Sequence, residues 1–198
     1  MRSHFALVCI AVLALAACDK SRKAASASNE TQPQGLPGDS AVAAPRGFTH
    51  EDKIDVAGHF LPREAVQVGA FKLTHMIAGQ PSDFQDWERG QRTAGLAPLV
   101  IEFQDVNSPL QTTEVGEQKP TVIIRVLPSA YHLTKAAVAF HGQDASLGPV
   151  TFAGAFNQKA LAQARASGQG REASVLKGDL QVGDRRFRDV AFGYSVGD

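Results

Sequence analysis

Beyond Phe48 the chain alternates apolar and polar residues with a period of two, the pattern of strands that bury one face. Ile54, Val56 and Phe60 alternate with Asp55 and His59. Phe71, Leu73, His75 and Ile77 fall on one face, with Lys72 and Thr74 on the other. Leu99, Ile101 and Phe103 are set against Val100 and Glu102, and Val122, Ile124 and Val126 against Ile123 and Arg125. Further strands are expected around Val138 and Phe140, from Val150 to Phe156, from Leu176 to Val182, and up to Tyr194. Gly183-Asp184 reads as a two-residue hairpin turn. Phe187 has the opposite parity to Val190, Phe192 and Tyr194. A bulge near Arg188-Asp189 restores the phase, or Phe187 faces outward.

Two short helices interrupt the alternation. Ser82 with Gln85 three residues later reads as a capping box, and Gly90 as a stop, which puts Phe84 and Trp87 on one face. Asn157 caps an alanine-rich segment from Gln158 to Ala166, closed by Gly168. About eight strands with sequential hairpins predict an all-β domain, an antiparallel β-sandwich or barrel with two short helices. A mixed α+β layer is the alternative.

The segment before this domain has another character. A basic start at Arg2 is followed by an eleven-residue apolar run, Phe5 to Leu15, then Ala16, Ala17 and Cys18. That is the layout of a secretory signal peptide, and the run is too short to span a bilayer, which needs roughly 20 residues. Leu15-Ala16-Ala17-Cys18 resembles the lipobox of bacterial lipoproteins. The resemblance implies cleavage before Cys18 and lipid on its sulfur, hence a periplasmic-side anchor at the inner or outer membrane of the cell envelope. Asp19 resembles the enterobacterial signal for the inner membrane, but Lys20 follows it, so both membranes stay open. One acyl chain holds weakly, whereas two or three on one residue hold durably. The expected organisation is a signal peptide over 1–17, a lipidated cysteine and tether over 18–47, and one β-rich domain over 48–198. Residues 19–47 are mostly Ala, Ser, Gln, Pro and Gly, with Leu36 and Val42 the bulky apolar exceptions. Such a stretch cannot offset its ordering entropy, and as a coil it averages about 30 Å end to end.

Charge and chemistry narrow the function mainly by exclusion. Cleavage removes Arg2 alone, leaving one basic side chain fewer than the 20 acidic ones, so no footprint for nucleic acid is expected. Cys9 leaves with the signal and Cys18 is taken by lipid, which excludes cysteine nucleophiles and zinc–thiolate sites from the mature chain. Gly193-Tyr194-Ser195-Val196-Gly197 spells G-x-S-x-G. A nucleophile elbow needs a following helix and a downstream histidine, and only Asp198 follows. His75 reads as a core histidine on an apolar face. His50, Glu51, Asp52 and Asp55 form a local cluster that either binds a metal weakly or is a solvated entry to the first strand. Asp83, Asp86, Glu88, Glu102 and Asp105 are candidate carboxylates for glycoside chemistry, read more simply as surface charge. Arg185, Arg186 and Arg188 read as protection of a sheet edge.

No catalytic residue, cofactor or metal is therefore expected, and Cys18 is the one assigned site. The leading expectation is a non-catalytic binding or interaction domain with a protein or cell-wall partner. The alternatives are a carrier of an apolar ligand in a β-barrel and a hydrolytic enzyme with dispersed residues. The carrier rests on a barrel whose interior is open to an apolar ligand; over six residues only, Gly178-Asp179-Leu180-Gln181-Val182-Gly183 is similar to a hairpin of the periplasmic isoprenoid-binding barrels.

Overall fold

The computed structural model describes residues 44–93, 95–167 and 170–197. The signal segment, Cys18, most of the tether and the expected stop at Gly168 lie outside the described residues. Chain order runs β1 (Phe48–His50), β2 (Gly58–Pro62), β3 (Gln67–Val68), β4 (Phe71–Ala78), α1 (Pro81–Glu88) and β5 (Leu99–Asp105). It continues with β6 (Leu110–Thr112), β7 (Gln118–Pro120), β8 (Ile123–Val126), β9 (Pro128–Leu133) and β10 (Ala137–Asp144). Then follow β11 (Gly148–Phe156), α2 (Gln158–Ser167), β12 (Leu176–Val182) and β13 (Arg185–Ser195).

One large sheet has the order β1-β9-β10-β11-β12-β13-β2-β4-β5-β8, with β3 added to β4 and a separate β6–β7 hairpin. Every pair is antiparallel except β1 with β9. The sheet curls into a half-barrel. The strand at one end, β8, and the strand next to the other end, β9, adjoin in the chain, because β8 stops at Val126 and β9 starts at Pro128. One nearly continuous strand thus pairs first with β5 and then with β10. Gly142 makes this crossing possible: a Cβ there would lie 2.7 Å from the Leu127 carbonyl oxygen and from Val126 Cγ1.

All eight expected strands are present, so the all-β reading holds. The first is shortened to Gly58–Pro62, although Ile54 and Val56 are still buried. The alternation missed β1, β3, β6, β7 and β9. The inward faces converge on one core, in which Tyr131, Tyr194, Phe60, Phe84, Phe103, Phe140, Phe152 and Phe192 are the largest fully buried side chains. Such close aromatic packing supplies most of the favourable folding energy of a sheet of this kind.

Three local features carry that core. The β12–β13 turn is the expected two-residue one, with Val182 opposite Arg185 and Gly183 at φ 54°. The phase change before Val190 is a bulge: Arg188 and Asp189 together face Asp179, Asp189 has φ 57°, and its N–H donates to Asp179 Oδ1 at 3.1 Å. Phe187 thereby packs against the core. Asn157 caps α2, accepting the Ala160 N–H at 3.1 Å.

Helix α1 starts earlier than expected. Its N-cap is Gln80, Pro81 takes the first helical position, and Asp83 accepts the Gln80 N–H at 2.7 Å. Proline fits there because its missing N–H would have no helical partner. Ser82 therefore lies inside the helix and caps nothing. Gly90, at φ 85°, receives its expected role, with its N–H on the Trp87 carbonyl. The antiparallel order places both helices at one end of the sheet, α1 after β4 and α2 after β11. The β6–β7 hairpin follows β5 at the opposite end.

Candidate functional site

At the helix end, α1 lays Phe84 and Trp87 over β1 and β9. Phe48 meets Trp87 edge-on with 6.0 Å between centroids and Tyr131 at 5.3 Å, while Phe84 stacks on His50 at 5.5 Å. A polar group is enclosed by these rings. Glu88 Oε1 accepts from His50 Nδ1 at 2.9 Å and from the Tyr131 hydroxyl at 3.0 Å. Burial, then the neighbouring Glu88 charge, pushes the Tyr131 phenol well above its ordinary value. With Glu88 ionised, the proton of His50 sits on Nδ1. His50 Nε2 and Trp87 Nε1 are both buried without a hydrogen-bond partner among the described residues.

This geometry dissolves the metal candidate at His50 to Asp55. His50 turns inward to Glu88 and Asp55 pairs with Arg165 of α2. Glu51 accepts the Lys135 backbone N–H at 2.8 Å and pairs with its ammonium at 3.2 Å, which holds its carboxyl below the ordinary value. Neighbours in sequence point to three different elements. Among the described residues no three His, Asp or Glu side chains converge to hold a metal.

His75 also departs from expectation. Leu73 faces Phe103 and His75 faces Glu102, so Thr74 is an extra residue on β4 and the parity flips after it. Leu73 and Met76 face the core, and His75 is turned to the outer face. There its ring stacks on His59 of β2 at 4.9 Å, and Nε2 lies 3.6 Å from Glu102 Oε1. Glu102 is buried, receives Arg125 Nε at 3.0 Å, and its backbone oxygen accepts the Thr74 hydroxyl at 2.9 Å. Burial pushes the His75 imidazole below its ordinary value; His59 and Arg125 act the same way, and Glu102 opposes them.

Ser195 lies directly across from His59 on this face. It belongs to the extended strand β13, and its Oγ receives the Gly197 N–H at 3.4 Å. The strand-to-helix turn of a nucleophile elbow is not formed here. The candidate carboxylates are each engaged separately: Asp83 at the α1 cap, Asp86 with Arg89, Glu88 with His50, Glu102 with Arg125, and Asp105 with the Asn107 N–H. Of the three arginines, Arg186 pairs with Asp179 at 3.1 Å.

Open clefts flank the helices. One of about 730 Å³ lies between α2 and the ends of β2 and β4, with Arg165, Tyr194, His59 and Asp83 on its walls. Another of about 520 Å³ runs beside Trp87 and Arg92. The opposite end has a different surface. Among the described residues, Val106, Leu110, Val115, Val122 and Ile123 are five of the seven large apolar residues that stand exposed, and all lie within residues 106–123. They sit on the β6–β7 hairpin, its connections and β8, the terminal strand of the sheet path. Asp105 N–H donates to the Val122 carbonyl, so Val122 and Ile124 direct their backbone groups at β5. By antiparallel alternation Ile123 and Arg125 direct theirs away from it.

The fold and sites define a curled, mainly antiparallel β-sheet domain with helices across one end. No family model, curated protein or solved structure matches the chain.

Proposed function

We propose that the chain is a membrane-anchored envelope lipoprotein whose β-rich domain is a non-catalytic interaction module. Its docking surface is β8 with the β6–β7 hairpin, and its partner is an envelope protein that adds an extended strand beside Ile123. The observation that carries this reading is the collection of five exposed apolar side chains at one end of the sheet. Scattered apolar residues are ordinary on a surface, whereas a group beside a free edge suits strand addition: backbone pairing gives affinity and side-chain pockets give selectivity. Leu15-Ala16-Ala17-Cys18 supports the anchor. The concave side of the sheet is occupied by bulky aromatics, which weighs against a carrier.

Site-specific photo-crosslinking in intact membranes tests the docking surface. A photoreactive residue at Ile123 should give one discrete crosslinked product, and the same residue at Lys159, exposed on α2, should give none. Equal products from both positions, or none from Ile123, would refute the docking edge. In the same cells Cys18→Ser should abolish fatty-acid labelling, and retained labelling would remove the anchor.

A further inference from the structure

At the helix end, remote from the docking edge and independent of it, Arg92 stands in an unusual posture. Its guanidinium lies 4.8 Å from the Phe48 ring centroid and 4.9 Å from that of Trp87. Among the described residues it forms no ion pair with any acid. The two acids that line the cleft are already engaged, Asp86 by Arg89 and Asp83 by the Gln80 N–H. The guanidinium is therefore oriented by aromatic contact while its N–H fork stays open to a ligand.

The cleft beside it holds about 520 Å³, within the range of small-molecule sites. Gln91 and Thr93 give it polar groups; Leu96, Ala97 and Pro98 give it an apolar wall, and Leu96 is 65% exposed. Trp87 belongs to the same lining, and its buried Nε1 has no acceptor among the described residues.

From these observations we infer that the cleft lined by α1, Gln91, Arg92, Thr93, Leu96, Ala97 and Pro98 binds a small organic carboxylate, with Arg92 as its receptor. A carboxylate matches the planar guanidinium with two parallel N–H···O bonds, which an ammonium or a neutral amide cannot supply. A short apolar body on the ligand would rest on Leu96 and Pro98. The competing role for Arg92 is electrostatic: a cation just past α1 offsets the partial negative charge of the helix C-terminus. That role involves stability alone and no ligand.

Trp87 is the one tryptophan of the chain, so its emission reads the site directly. The full-length protein is titrated with hexanoate, and separately with hexan-1-ol, at constant ionic strength. Hexanoate should change the emission saturably, with hexanol weaker by at least about tenfold, as expected for loss of a charge-assisted pair. Arg92→Gln should weaken hexanoate to the level of hexanol. Arg92→Lys, which keeps the charge without the fork, should fall between and serves if the glutamine variant does not fold. Equal binding of hexanol would reduce the cleft to an apolar crevice and overturn the inference. So would an unchanged hexanoate response in both variants, which would leave Arg92 as a helix countercharge, or no saturable response in the wild-type protein.

Discussion

Thr74 decides what His75 does. Alternation alone puts His75 beside Leu73 and Ile77, but the extra residue turns it outward to His59, Glu102 and Arg125. A one-residue bulge leaves almost no trace in sequence, because threonine suits a strand and a bulge alike. The same limit hid the His50–Glu88–Tyr131 group, whose members are 38 and 43 residues apart. The outward position of His75 has a consequence for pH. His59 on β2, Glu102 on β5 and Arg125 on β8 lie around it; burial favours its neutral form, Glu102 opposes this, and His59 and the Arg125 charge add to the effect of burial. Its folded pKa lies below its unfolded one, so the unfolded chain takes up the proton first. The stability His75 contributes is complete above the ordinary imidazole value and is lost as pH falls through the folded value. The thermal midpoint should therefore drop between pH 7.5 and 5.5 more steeply in the wild type than in His75→Gln. Superimposable profiles would show that His75 does not govern the decline.

Among the elements, α1 shows best how local and tertiary signals divide the work. Its apolar face, Phe84 and Trp87, was legible from their spacing, and both are buried. Its start was not, since Ser82 and Gln85 spell an acceptable cap and Gln80 does not. Pro81 decides the matter by occupying the first turn. Eight residues cannot hold a helix in water, so contact with Phe48, His50 and Tyr131 must hold it. Trp87→Ala should accordingly cost about 3–5 kcal/mol, read as the shift of a denaturant midpoint by circular dichroism. A loss below about 1 kcal/mol would mean that α1 docks by other contacts. Strand β9 was missed because Pro128 opens it and His132 and Ser129 break its apolar run. The three short strands β1, β6 and β7 are fixed by neighbours, and three residues carry too little alternation to read.

For the molecule as a whole, the all-β class and the two helices were legible, but the way the sheet closes was not. That depends on Leu127, where one strand changes partners, and on Gly142, which lets the crossing pass. Gly142→Val should force the strands apart at Val126 and Leu127 and cost about 1–3 kcal/mol of overpacking. An unchanged thermal midpoint would show that β8 and β10 do not approach as described. The sheet order carries a further consequence for how the chain is made. Strand β13 comes later in sequence than every other strand, yet it lies between β12 and β2 near the middle of the path. Phe60 finds Tyr194 only after more than a hundred intervening residues have been synthesised. Until then, among the described residues, β2, β4, β5 and β8 have no strand pairing with β10, β11 and β12 except through the single strand that carries Leu127. Translation at about 5–20 residues per second thus leaves the two halves linked by that one strand alone for several seconds. During that interval the partner positions of Phe192 to Ser195 on β2 stay empty, because β2 gains them only from β13. Arrival of β13 then ends the interval by locking the halves together.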